Sequence, residues 1–188
     1  MQTVLFQDSK IEVCQVLFNL PKTIDDIIIA EKQHIISKYG DLKRSRSHPH
    51  CSLCEFPIIG KSGEVIDSLV DKLKVLSPIE VNIDGYEATD NKMLWAKFSS
   101  STPFQPFYEA IKNFRIENIV YAKKKNFGIS DYPHVTLAQV DNSDNHKTLK
   151  DIYTSKSINQ TFTLKELVVR KSNDSGKTFK TIMQIQLK

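Results

Sequence analysis

The sequence predicts an α+β fold built as two similar lobes, with antiparallel sheets around a central groove and helices outside, and three observations predict it. Strand-like and helical stretches alternate with short polar turns along the 188 residues. Two hexapeptides, His48-Pro49-His50-Cys51-Ser52-Leu53 and Tyr132-Pro133-His134-Val135-Thr136-Leu137, both read x-Pro-His-x-(Ser/Thr)-Leu. After each comes the same order of elements: helix, strand, hairpin turn, strand. Together they describe a single bilobal domain, residues 1–188, with lobes related by a pseudo-twofold axis and one histidine strand in each.

Ile11 to Leu20 is rich in β-branched and aromatic residues and stops at Pro21, which marks a buried strand. Thr23 is the expected N-cap of the helix that follows, with Asp25 and Asp26 in its first turn and apolar residues at helical spacing up to Gly40. The first histidine strand runs to about Pro57, and a helix from Gly63 to Val75 carries Val65, Ile66, Leu69, Val70 and Leu73 as its apolar stripe. Pro78 to Thr89 and Met93 to Phe98 alternate as strands around the turn Asp90-Asn91. Thr102-Pro103 then opens a helix to about Phe114, with Thr102 as cap. Between Arg115 and Ile129 the pattern is weak: a strand around Ile119 to Ala122, or a loop carrying Lys123-Lys124-Lys125. The second histidine strand spans Tyr132 to Val140, a short helix Asn145 to Tyr153. Thr161 to Arg170 and Thr178 to Leu187 close the chain as a hairpin turning at Asn173-Asp174-Ser175-Gly176.

Composition narrows the class without naming it. A net charge of +4 is compatible with a polyanionic ligand but falls short of a dedicated nucleic-acid-binding protein. Cys14, Cys51 and Cys54 are odd in number and no signal peptide precedes them, so a reducing, cytoplasmic setting is expected. Cys51 and Cys54 form a CxxC with no second ligand pair, and on a regular strand they point to opposite faces, so they read as core. No apolar run reaches membrane-spanning length, and no dimer face is evident, which leaves a monomer as the default.

The chemistry lies in the repeated hexapeptides. A strand sends residues i and i+2 to one face, so His50 shares a face with Ser52, and His134 with Thr136. If the two strands adjoin, two imidazoles and two hydroxyls surround one cleft, a set able to perform acid and base work on a phosphodiester. Each proline restricts its own backbone and that of the residue before it, which steadies the histidine after it. A third His-x-Thr, at His146, follows the polar run Asp141 to Asn145 and reads as the start of a helix. Parity adds further candidates for substrate contact: Arg44, Arg46 and His48 with His50 if the strand extends back that far, and Tyr132 with His134. Trp95 reads as core.

At His50-Cys51-Ser52-Leu53 and His134-Val135-Thr136-Leu137 the chain resembles the two-histidine (2H) phosphoesterase superfamily. That superfamily includes 2'-5' RNA ligases, 2',3'-cyclic nucleotide phosphodiesterases and the exonuclease that trims U6 RNA. The resemblance implies catalysis by His134 as base and His50 as acid, with Ser52 and Thr136 binding the phosphate and neither metal nor cofactor required. It implies RNA ends, cyclic nucleotides or oligonucleotides as substrates. The function expected is a phosphodiesterase acting on 2',3'-cyclic phosphates or on 2'-5' or 3'-5' diesters. Alternatives are a 2'-5' RNA ligase, which runs the same chemistry in reverse, and a non-catalytic RNA or nucleotide binder.

Overall fold

The computed structural model describes residues 12–58, 62–117, 128–130, 132–174 and 176–188. Its elements are β1 (Glu12–Asn19), α1 (Lys22–Tyr39), β2 (His50–Ile58), α2 (Ser62–Leu73), β3 (Ile79–Ala88), β4 (Met93–Phe98), α3 (Gln105–Glu117), β5 (Gly128–Ile129), β6 (His134–Gln139), α4 (Ser143–Ser155), β7 (Asn159–Leu164), β8 (Glu166–Ser172) and β9 (Lys180–Gln186). The α+β class holds, and every strand pairing is antiparallel. The strands join in the order β7-β3-β4-β6-β2-β1-β8-β9, with β5 on the flank of β2. The two histidine strands are thus the central neighbours, and they meet at one residue pair, Cys51 opposite Val135.

Helices cover the face away from the histidines. Phe18 of β1 packs edge-on against Phe104 and Phe107, and the Phe56 ring of β2 packs tilted against Phe114, so α3 and its leading turn underlie the β2-β1-β8 half. Under the other half, Tyr86 of β3 meets Tyr153 of α4. The Tyr153 hydroxyl donates to Glu31 of α1 at 3.0 Å, which ties α1 to α4.

Several element boundaries differ from the sequence reading. The strand expected over Thr161 to Arg170 breaks at Lys165. Its first half, β7, is the outer neighbour of β3 and its second half, β8, pairs with β1 in the opposite half of the sheet. Alternation alone does not reveal such a transfer, because both halves alternate. Helix α1 begins at Lys22 with Pro21 as the capping residue, so Thr23 lies inside the first turn. Ser101, not Thr102, precedes the 3-10 turn Thr102–Phe104 that leads into α3. Helix α4 starts at Ser143, where the Asn142 side chain accepts from the Asp144 and Asn145 amides, and His146 sits in its first turn. The readings around 119–122 and at Lys123-Lys124-Lys125 lie outside the described residues, as does Ser175 of the last turn.

One local feature governs the site. In β2, Val16 of β1 faces Cys54 while Leu17 faces Ser52, so Leu53 is an extra residue. In β6, Leu94 of β4 faces Ala138 while Trp95 faces Thr136, so Leu137 is an extra residue. Both motif strands therefore carry a β-bulge immediately after the hydroxyl residue, and a bulge reverses the parity of everything beyond it. This overturns the expectation that Cys51 and Cys54 point to opposite faces: both are buried in the core, and both are free thiols.

Phe18 is fully buried where β1 meets α3. Phe18→Ala is expected to destabilise the fold by about 3–5 kcal/mol, measured as a lowered urea midpoint with an unchanged slope.

Candidate active site

Across the Cys51–Val135 pair, the antiparallel register sets His50 beside Thr136 and Ser52 beside His134 on the exposed face of the sheet. Beyond this contact the strands separate. The flank of β2 is taken by β5, with the Ser130 amide donating to the Leu53 carbonyl at 2.9 Å, and that of β6 by Lys43, whose carbonyl accepts from the Gln139 amide at 2.8 Å. The opening is a cavity of about 660 Å³ lined by all four motif residues, His50, Ser52, His134 and Thr136, together with Arg44. Its size suits a nucleotide-scale ligand.

Each imidazole is held in the same way. Nδ1 of His50 donates to the His48 carbonyl at 2.7 Å, and Nδ1 of His134 donates to the Tyr132 carbonyl at 2.8 Å. A carbonyl only accepts, so both Nδ1 atoms carry hydrogen, and Nε2 is the nitrogen left to exchange a proton. The proline between each histidine and its carbonyl partner fixes the backbone that brings the two together. Each carbonyl-bearing residue is itself anchored by a carboxylate. His48 Nε2 lies 3.2 Å from Asp25 of α1, and the Tyr132 hydroxyl donates to Glu87 of β3 at 2.8 Å.

The remaining sequence candidates separate. Arg44 reaches the cavity, but not by strand parity: β2 starts at His50, and residues 44–47 form a turn in which Arg44 adopts φ 65°. Buried Lys32 of α1 holds that turn, its ammonium donating to the Arg44 and Ser47 carbonyls at 3.0 and 2.8 Å and to Ser47 Oγ at 3.1 Å. Its pKa is pushed down to about 8, first by burial and then by Arg44. Arg46 is paired with Asp41 at 2.6 Å, and with His48 it lines a separate cavity against α1. Tyr132 lines another cavity, beside Lys97 and Ser99 to Ser101. Trp95, expected in the core, stands on the exposed face of β4 and stacks on His134, with ring centroids 3.9 Å apart and planes inclined by 18°.

Sequence reasoning misses the rest of the wall. Arg170 of β8 and Lys177 and Phe179 after it arrive from the C-terminal hairpin, and Glu55 and Gln139 are turned into the cavity by the bulges. No motif marks these residues, since their placement follows from tertiary pairing. Lys43, Arg44, Arg170 and Lys177 make the cavity cationic, with Glu55 as its carboxylate. Lys43 is also paired with Asp141 at 2.9 Å.

The field and the burial act on the histidines together. His50 is pushed down to about 4, chiefly by burial, then by Arg170, Lys32 and His48, against the opposing effect of its bond to the His48 carbonyl. His134 is also lowered, chiefly by burial and further by Arg44, while its backbone bond and Glu87 oppose the shift. Burial pushes the Cys51 thiol up to about 12, and Cys54 well above its usual range, so neither supplies a thiolate near neutrality. Among the described residues, no cluster of three or more His, Cys, Asp or Glu is arranged to hold a metal ion. None of the described helices is long and apolar enough to cross a membrane.

Comparison with known proteins agrees with this architecture. The family model of the 2'-5' RNA ligase superfamily matches residues 24–176. A search of curated proteins finds no match. LigT of E. coli, solved with NADP+, superposes with a TM-score of 0.61 at 13% identity, covering 94% of this chain and 98% of that one. TT0787 of Thermus thermophilus gives a TM-score of 0.60 at 15% identity, covering 93% and 97%. Usb1 of Kluyveromyces marxianus gives 0.52 at 13%, covering 95% and 99%. At such identities the likeness is one of fold.

The depressed His50 pKa has a measurable consequence. The unfolded chain binds a proton on this side chain near pH 6.5, whereas the folded chain does so only near 4. Folding stability is therefore lost as pH falls through that interval and is fully present above it. His50→Gln should lose less stability than wild type between pH 7 and pH 4.5 in urea titrations, and NMR should show the His50 ring titrating near 4. An equal acid loss in both proteins would contradict the assignment.

Proposed function

The chain belongs to the 2'-5' RNA ligase superfamily, and from that premise we propose that it is a metal-independent phosphodiesterase using His134 as general base and His50 as general acid. Its substrates are 2',3'-cyclic phosphates or 2'-5' and 3'-5' diesters of RNA or of cyclic and linear oligonucleotides. One observation carries the reading: two imidazoles held by Nδ1 on backbone carbonyls, each keeping Nε2 for proton transfer, each beside the other motif's hydroxyl, line one cationic cavity. The family resemblance assigns which histidine is which. LigT has been solved with ATP, with 3'-AMP and with phosphate, which supports a nucleotide as the occupant here.

In this mechanism the diester binds with its non-bridging oxygens accepting from Ser52 and Thr136, while Arg44 and Arg170 balance its charge. Nε2 of His134 takes a proton from water, or from a ribose hydroxyl where the diester is internal, as that oxygen attacks phosphorus. The bond to the leaving oxygen breaks, and Nε2 of His50 supplies the proton. The histidines end with their protonation states exchanged, and solvent restores them. Burial and neighbouring cations hold the His50 pKa low, and a bound phosphate anion raises it, so the substrate charges its own acid. A neutral His134 is meanwhile ready as base. Three free, buried cysteines support a reducing, cytoplasmic setting, and a monomer presents one complete site.

With 2',3'-cyclic mononucleotides and a 2'-5' linked dinucleotide in EDTA, wild type should turn over. His50→Ala and His134→Ala should each fall by about 100-fold or more. Wild-type rates in both variants, or abolition by EDTA, would overturn the mechanism. Tyr132→Phe releases the anchor on the His134 carbonyl partner and should lower kcat about tenfold with KM nearly unchanged, as steady-state kinetics would show.

A further inference from the structure

The paired bulges bring two side chains to the cavity that the histidine motifs do not contain. Glu55 follows Ser52 by three residues and Gln139 follows Thr136 by three, and the extra leucine in each strand gives both the parity of the histidines. Each lies about 7 Å along its strand from the hydroxyl that would bind phosphate, comparable with the reach from a nucleotide's phosphate across the ribose to its base. Because β2 and β6 run antiparallel through the Cys51–Val135 pair, Glu55 and Gln139 leave that centre in opposite directions. Bulges next to active sites commonly re-aim a side chain, and here the same device occurs on both strands.

Their chemistry excludes the phosphate as the partner of Glu55. A carboxylate accepts hydrogen bonds and repels an anion, yet Glu55 stands in a cavity with Lys43, Arg44, Arg170 and Lys177. What such a group recognises on a nucleotide is a set of N–H donors. Gln139 differs: its amide donates to Asp141 Oδ1 at 3.2 Å, which orients the group and leaves its carbonyl and second N–H for a mixed donor and acceptor edge.

We propose that Glu55 and Gln139 read the two nucleosides on either side of the scissile phosphorus, so that the substrate is a diester joining two nucleosides and the one on the β2 side is guanine. This rests on the phosphodiesterase reading and narrows it. Guanine presents two adjacent N–H donors on its Watson–Crick edge, which a carboxylate accepts together, whereas adenine and cytosine each offer one amino group beside an acceptor. The amide of Gln139 suits adenine, whose amino group and ring nitrogen match it. A 2',3'-cyclic mononucleotide carries one nucleoside and engages one reader only.

The test uses 2'-5' dinucleoside monophosphates carrying each of the four bases at each position, with the intact wild-type chain, Glu55→Gln and Gln139→Glu. Turnover is followed by product analysis. Binding is followed through the fluorescence of Trp95, the single tryptophan, which stacks on His134. Wild type should favour guanine at one position by about tenfold or more over adenine, in kcat/KM and in binding. Glu55→Gln should flatten that preference and leave the other position unchanged, while Gln139→Glu should alter only the other. Equal loss on all bases in Glu55→Gln, or a wild-type preference that survives it, overturns the proposal. Turnover blind to base in every protein overturns it and leaves the phosphodiesterase reading standing. Base-selective binding without turnover upholds the readers and overturns the enzyme.

Discussion

The site depends on how little β2 and β6 touch. A full ladder between these central strands would bury their facing side chains in a flat sheet, whereas one pair, Cys51 with Val135, joins the two halves and lets them part on both sides. The contact falls inside both histidine motifs. The residues at the point of contact are apolar and face the core, and the histidines and hydroxyls flank it on the open face. Closeness and openness, which a flat sheet opposes, are reconciled because the strands separate immediately: β5 satisfies the vacated edge of β2 and Lys43 that of β6.

Around this contact the imidazoles are supported from the core outwards. The carbonyl that holds each ring belongs to a residue fixed by proline on one side and by a carboxylate on its side chain. These carboxylates, Asp25 on α1 and Glu87 on β3, stand on separate elements of the fold. Helix α1 adds a second support through Lys32, which uses its three donors on the turn that carries Arg44. Replacing a flexible ammonium's water shell with three fixed acceptors is effective here because the group is buried and the acceptors converge. The catalytic candidates sit on strands, and the cation beside them sits on a turn made nearly as rigid.

Much of this is legible in the sequence, and what is not has physical causes. Period-2 alternation and prolines identify the motif strands, and apolar spacing locates the helices, because those signals are local. The bulges are invisible: a Leu followed by Cys54 or by Ala138 reads as continued alternation with a small residue on the wrong face. Parity therefore assigns Cys54 to the face opposite Cys51, where the structure buries both, and passes over Glu55 and Gln139. It also links Arg46 and His48 to the cleft by running through residues that fold as a turn. The size of Trp95 suggests the core, while its neighbour across the ladder is Thr136, on the open face beside His134. Arg170 and Lys177 carry no local signal, since β8 reaches the cavity only by pairing with β1.

The break at Lys165 bears on how such a narrow junction stays rigid. A single residue pair would let the two halves hinge and would move the imidazoles apart. The chain passes from β7, the outer neighbour of β3, to β8, paired with β1, through Lys165 alone, so one extended segment belongs to both halves. The Lys165 carbonyl accepts from the Leu187 amide at 2.9 Å, which fastens the crossing point to the end of β9. Hinging at β2 and β6 would require this strap to stretch, and an extended backbone has almost no length in reserve. The separation of the histidines is thereby constrained by a segment that contains no catalytic candidate in its first half and carries, in its second, Arg170 in the wall of the cavity.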